Sequence, residues 1–64
     1  MTDPQTIKHA RLARGLTQRQ AAEQLGVPRH TWARWERGER HPRGLYALAL
    51  ARWLAKPAEG QGGR

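Results

Sequence analysis

The stretch GLTQRQAAEQLGVPRHTWARWERG, residues 15–38, decides the fold. Its first half predicts a short helix that starts at a capping box, because Thr17 and Gln20 are spaced so that each side chain can satisfy a free backbone N–H of the first turn. Gly26 is expected to end this helix, since glycine readily adopts the positive φ that a helix terminus often requires. A tight turn follows.

The second half of the stretch predicts another short helix, which opens at Pro28 and runs to about Arg37. Helical spacing places Trp32, Trp35 and Glu36 on one face and leaves a basic face on the opposite side. Two short helices joined by a tight turn pack at a steep angle. The stretch therefore predicts a helix-turn-helix.

Two further helices are predicted, one on each side of this motif. The first starts at the Asp-Pro pair at 3–4 and runs to about Arg14, and the last covers about 43–55. Residues 56–64 are rich in glycine and polar, which predicts a flexible, disordered tail. The fold class is therefore all-α, with one compact four-helix domain over residues 1–55.

The charge of the chain favours a polyanionic partner. Twelve Lys and Arg residues stand against five Asp and Glu, which gives a formal net charge of +7. Ten of the twelve are Arg, whose planar guanidinium suits bidentate contacts with phosphate and guanine. Nucleic acid, an anionic membrane and an acidic protein are the partners that such a field attracts.

The sequence lacks the residues that several functional classes require. The chain has no cysteine, and its three histidines, His9, His30 and His41, are far apart in the sequence, so no metal site and no cofactor are expected. No nucleophile–base pair is apparent, which argues against an enzyme. The sequence has neither a long apolar stretch nor a signal peptide, so a cytoplasmic protein without a membrane contact is expected.

The sequence resembles the lambda-repressor-like (Cro/CI, Xre-family) helix-turn-helix domains of bacteria and phages over about residues 7–54. The marks of the resemblance are Arg11, Gly15-Leu16-Thr17-Gln18, Ala22, Gly26-Val27 and the segment Trp35-Glu36-Arg37-Gly38-Glu39-Arg40-His41-Pro42. Ala10 and Ala21 stand where the family usually has leucine. We expect Trp32 and Trp35 to fill the volume that these alanines leave.

The resemblance implies which side chains contact DNA bases. In the resembling proteins the second motif helix enters the major groove, and its first residues read base edges. Carried over by position, this implies base contacts by Arg29, His30 and Arg34, with Thr31 as a weaker candidate. An arginine can fork onto O6 and N7 of guanine. The alternative is a solvated polar face, which the net charge and the motif together disfavour.

Phosphate contacts are expected on both sides of this recognition helix. The candidates are Gln18, Arg19, Arg37, Arg40 and Arg43. Gln18 begins the first motif helix, where its side chain and the free N–H groups suit a phosphate oxygen. Arg43 has a second option in the minor groove. For Arg11 and Glu36 the resemblance implies a structural ion pair between the first and third helices and no DNA contact.

The last helix is apolar on nearly every side. Such a helix must be buried all round, but a three-helix core covers only one face. We expect Leu45, Leu48 and Ala49 to face the core. The other large side chains are expected to form a homodimer interface: Tyr46, Leu50, Trp53 and Leu54. The alternative is that the C-terminal tail folds back over them.

The sequence thus predicts a sequence-specific regulator of transcription that binds double-stranded DNA. The favoured form is a dimeric repressor, often of its own promoter, that binds an inverted repeat. The alternative is an antitoxin or accessory factor that uses the helix-turn-helix scaffold to bind another protein. A cationic membrane-active peptide is disfavoured, because the basic residues are spread over four short capped helices and do not line one continuous face.

Overall fold

A computed structural model describes residues 2–56, and these residues form four α-helices and no strand. The helices are α1 (Pro4–Ala13), α2 (Gln18–Leu25), α3 (Arg29–Arg37) and α4 (Leu45–Ala55). The all-α, four-helix prediction is confirmed. Apart from Lys56, the predicted tail lies outside the described residues.

Side chains at the start of α1 and α2 satisfy the first free backbone N–H groups. Asp3 accepts a hydrogen bond from the Gln5 backbone N–H at 3.2 Å. In the capping box of α2, Thr17 Oγ1 accepts from the Gln20 backbone N–H at 3.1 Å, and Gln20 Oε1 accepts from the Thr17 backbone N–H at 2.9 Å. Because each bond satisfies a donor that the helix itself cannot, these residues fix where the helices begin.

The turn between α2 and α3 depends on a left-handed glycine. Gly26 ends α2 with φ +79°, and its N–H donates to the Ala22 carbonyl at 2.9 Å. The next N–H, that of Val27, donates to the same carbonyl at 3.0 Å. The left-handed conformation of Gly26 is unfavourable for residues with a Cβ, which is why glycine is preferred at this position.

Three tryptophans dominate the core. Trp32 is fully buried, and its ring lies 5.3 Å from Trp53 in an edge-to-face arrangement and 5.7 Å from Trp35. Ala21 and Ala22 are also fully buried, and their small side chains let these large rings pack closely. The remaining fully or nearly buried apolar residues of the core cluster are Ile7, Val27 and Leu50.

The predicted orientation of α4 is wrong. Leu50 and Trp53 lie in the core at 1% and 6% exposure, whereas Leu45 and Leu48 are 82% and 49% exposed. The indole N–H of Trp53 donates to Gln24 Oε1 at 2.8 Å, which ties this face of α4 to α2. Since nearly every position of α4 is apolar, hydrophobic spacing alone could not determine which face is buried.

Two residues assigned to the dimer interface therefore belong to the monomer core. Leu50 and Trp53 have almost no surface left for a second copy. Of the other two, Leu54 is partly buried against the core, and Tyr46 remains 42% exposed while its ring lies 6.0 Å from Trp35.

Arg14 joins the ends of α1 and α4, a role that the sequence did not indicate. Its guanidinium donates to the carbonyls of Trp53 at 3.0 Å and Lys56 at 2.5 Å, and to the Ala10 carbonyl at 2.9 Å. The same group lies 4.2 Å from the centre of the Trp53 ring. Arg14 thus binds carbonyls at the end of α4, where a positive charge suits the helix dipole.

Candidate nucleic-acid interface

The outward face of α3 carries the residues predicted to read bases. Arg29, His30 and Arg34 are exposed, and Thr31 is half-buried beside them. Trp32 and Trp35, on the opposite face, are buried in the core. Because the two buried rings hold α3 against the core, the orientation of its polar side chains relative to the domain is fixed.

A shallow surface groove is lined by residues from α1, from the start of α2 and from the start of α3. They are Arg11, Thr17, Gln18, Arg19 and Arg29. The groove therefore brings Arg19, predicted to contact phosphate, next to Arg29, predicted to contact a base. Free N–H groups at the start of α2 add partial positive charge to the same groove.

A buried carboxylate lies beneath this groove. Arg11 and Glu36 form a forked ion pair with N–O distances of 2.6 and 3.1 Å, and their side chains are only 11% and 5% exposed. Glu36 also accepts hydrogen bonds from Gln18 Nε2 at 3.0 Å and from the Trp32 indole N–H at 2.5 Å. With two donors on each oxygen, the carboxylate has its acceptor sites filled.

These contacts keep Glu36 ionised. Burial alone would raise the pKa of Glu36, but hydrogen bonds from Arg11, Gln18 and Trp32, together with the Arg11 charge, outweigh it and lower the pKa below the ordinary value of 4.5. The negative charge therefore persists at neutral pH. Through it, α1, α2 and α3 are joined at one point.

Gln18 differs from a free phosphate ligand, because its side-chain amide is already bonded to Glu36. The amide nitrogen carries a second N–H, and the backbone N–H groups at the start of α2 have no partner within the helix. Gln18 thus retains donors for a phosphate, while its hydrogen bond to Glu36 sets the orientation of its side chain.

A second basic cleft lies between α3 and the loop that follows it. Its lining is formed by Thr31, Arg34, Trp35, Arg40, His41, Arg43 and Tyr46. This cleft brings together two predicted phosphate contacts, Arg40 and Arg43, with the predicted base contact Arg34. The partly exposed Tyr46 ring, packed against Trp35, forms its apolar side.

Arg37, the remaining predicted phosphate contact, forms an ion pair with Glu39 that the sequence did not predict. Its Nε and Nη2 donate to Glu39 at 2.9 and 3.1 Å, and both side chains are more than half exposed. The hydrogen bond to Glu39 raises the pKa of Arg37, and the same bond lowers the pKa of Glu39. In the sequence, only the spacing of Arg37 and Glu39 on either side of Gly38 could have indicated this pair.

Basic groups thus flank both ends of an exposed, polar helix face. A groove with Arg19 and Arg29 lies at its start, and a cleft with Arg40 and Arg43 lies at its end. Among residues 2–56, no three histidine or carboxylate side chains come close enough to hold a metal ion. None of the helices described has the length and apolar character needed to cross a membrane.

This arrangement is that of a helix-turn-helix, the class of domain that places a short helix in a DNA groove. The family model described as Helix-turn-helix matches residues 7–59, which is most of the chain. The chain belongs to this lambda-repressor-like (Xre) helix-turn-helix family, a family of DNA-binding transcription regulators. Neither the comparison with curated proteins nor the comparison with solved structures finds a match.

Proposed function

We propose that this protein is a transcriptional repressor that binds a specific site in double-stranded DNA through α3. The observation that carries the proposal is the exposed face of α3, where Arg29, His30 and Arg34 project between two basic surfaces. Repression by occlusion of a promoter requires no activity besides tight binding at that site.

The side chains divide into two roles in this proposal. Arg29 and Arg34 fork onto guanine edges, His30 donates to or accepts from a base, and Thr31 supplies a weaker contact. The contacts to the DNA backbone set the register of α3 in the groove and are expected from Gln18, Arg19, Arg37, Arg40 and Arg43. Because these are mainly charged contacts, affinity should fall steeply as salt rises.

We further propose that two copies bind together on an inverted repeat. One module of this size buries only about 600–1,000 Å² on DNA, so a second copy would raise affinity considerably. The apolar surface of α4 that remains exposed, Leu45 and Leu48 with part of Tyr46, supports this proposal. This surface replaces Leu50 and Trp53 as the proposed dimer interface, because those two side chains are buried in the monomer core.

Selection of bound sequences from random duplex DNA tests the function. We expect enrichment of a short motif, repeated in inverted orientation with half-site centres about one helical turn, roughly 34–36 Å, apart. Recovery of single half-sites alone would contradict the proposed dimer but would still support sequence reading by α3. Duplexes recovered with no common motif would contradict sequence-specific binding.

The exposed leucines also favour a second candidate function, in which α4 binds a different protein. Sedimentation of the purified protein at tens of micromolar separates the two. A dimer that dissociates when Leu45 and Leu48 are both replaced by glutamine supports self-association, with Leu12→Gln as the control at an exposed leucine on α1. A wild-type monomer would favour the protein-binding candidate.

A further inference from the structure

The loop after α3 places one carboxylate among the arginines of the proposed DNA-binding surface. Glu39 accepts two hydrogen bonds from Arg37, at 2.9 and 3.1 Å. The charge of Arg34, proposed to read a base, also acts on this carboxylate. Glu39 is therefore bonded to one group proposed to hold phosphate and lies within the electrostatic reach of one proposed to read a base.

Main-chain bonds fix where the Glu39 side chain starts. Gly38 ends α3 in the left-handed conformation, with φ +77°, and the N–H of Glu39 then donates to the Arg34 carbonyl at 3.0 Å. The backbone of Glu39 is thus attached to the last turn of the proposed recognition helix. The carboxylate therefore lies at the C-terminal end of the surface proposed to bind DNA.

We infer that Glu39 competes with DNA phosphate for Arg37 and so lowers the affinity of the protein for duplex DNA of any sequence. The inference rests on the proposed function. A phosphate that contacts the paired edge of Arg37 has to displace Glu39, and a phosphate that approaches elsewhere still meets a like charge. Weaker contact with the backbone makes stable binding depend more on the base contacts of α3.

The opposite role, in which Glu39 holds Arg37 in position for phosphate, is possible in geometry because three N–H donors of the guanidinium remain. Exposure argues against it. Both side chains are more than half exposed, at 56% and 54%, and surface pairs of this kind are too weak to hold a long side chain in one orientation. The repulsion between carboxylate and phosphate does not require such rigidity.

Glu39→Gln, measured against Glu23→Gln, tests the inference. Both variants remove one exposed negative charge, and Glu23 on α2 forms no ion pair with the side chains described. On a random-sequence duplex, followed by fluorescence anisotropy from 50 to 200 mM salt, we expect Glu39→Gln to bind roughly 3–10-fold more tightly, with a slope of log K against log salt steeper by up to about 1. Glu23→Gln should change affinity less than about twofold because its charge is screened.

The same measurement in an Arg37→Gln background shows whether the effect passes through this pair. There, the part of the Glu39→Gln effect that comes from competition for Arg37 should disappear, so the gain in affinity should be smaller than in the wild-type background and only the repulsion between carboxylate and phosphate should remain. Equal effects of the two glutamate variants in the wild-type background, or weaker binding by Glu39→Gln, would overturn the inference while leaving DNA binding intact. A wild-type protein that binds no duplex even at 50 mM salt would instead overturn the proposed function, and the inference with it.

Discussion

Two arginine–glutamate pairs lie near the C-terminal end of α3, and their geometry is similar. Glu36 meets Arg11 at 2.6 Å and Glu39 meets Arg37 at 2.9 Å, each as a two-bonded fork. The side chains of the first pair are 11% and 5% exposed, and those of the second are 56% and 54% exposed. The first pair has two further donors from the protein, whereas water can serve the second.

This difference in burial separates a structural role from an exchangeable one. A buried carboxylate that loses a partner leaves a charge without compensation, so the pair at Glu36 is costly to break. An exposed pair contributes little to the stability of the fold, so the protein stays folded when water or phosphate replaces one partner. Near the same end of α3, Glu36 therefore stabilises the fold, whereas Glu39 can adjust the affinity for DNA.

Replacing each glutamate by glutamine gives the largest expected contrast. Glu36→Gln leaves the charge of Arg11 unpaired and brings an NH₂ group against donors, so it should cost about 3–5 kcal/mol of unfolding free energy. A single core of this size rarely supplies more than about that amount, so the variant should be largely unfolded at 25 °C. Glu39→Gln should leave the urea midpoint unchanged.

An osmolyte series makes this contrast measurable even when the Glu36 variant does not fold in buffer, since trimethylamine oxide favours burial. Trimethylamine oxide should be needed to restore the helix circular dichroism of Glu36→Gln, whereas Glu39→Gln should show this signal in buffer alone. Equal stability of the two variants would contradict the structural role of the buried pair.

A smaller effect is expected when only one donor to the buried pair is removed. Trp32→Phe keeps an aromatic ring but loses the indole N–H that donates to Glu36, whereas Trp35→Phe makes a similar reduction in ring size without breaking that bond. Hydrogen bonds to charged groups contribute about 1.5–3 kcal/mol, so Trp32→Phe should be the less stable of the two in urea by roughly that difference. If Trp35→Phe were the less stable variant, the hydrogen bond from Trp32 to Glu36 would not make the expected contribution to stability.

Acid should expose the smallest of these stability effects. Since the folded-state pKa of Glu36 lies below 4.5, its ionisation stabilises the fold above the unfolded pKa, and this contribution disappears as pH falls through the folded value. In an NMR titration of the wild type, the Glu36 carboxyl should therefore have its midpoint below 4.5. A midpoint at or above that value would show that burial outweighs the hydrogen bonds.

The sequence predicted the orientation of a helix only where apolar and polar residues fall on separate faces. In α3, tryptophans on one face and arginines on the other determined the orientation, so both the core and the exposed face followed from spacing. In α4, apolar residues all round left its orientation undetermined, and Leu50 and Trp53 were assigned to the wrong surface.

Long-range polar contacts were harder to predict than the helices. Local patterns could not pair Arg11 with Glu36, and only the family resemblance implied that contact. Arg14 had no such aid, because a charged residue at a helix end usually remains in water. Its burial depends on the carbonyls of α4, which come within reach only after the chain has folded.

The most direct test of base reading by α3 compares four arginine variants on a selected DNA site and on random duplex. Arg29→Ala and Arg34→Ala should each lose roughly 1–3 kcal/mol on the selected site and less on random DNA. Arg37→Ala should weaken both to the same extent, and Arg52→Ala, at an exposed position on α4, should change neither. Equal losses on both kinds of DNA for the Arg29 and Arg34 variants would show that α3 does not read bases.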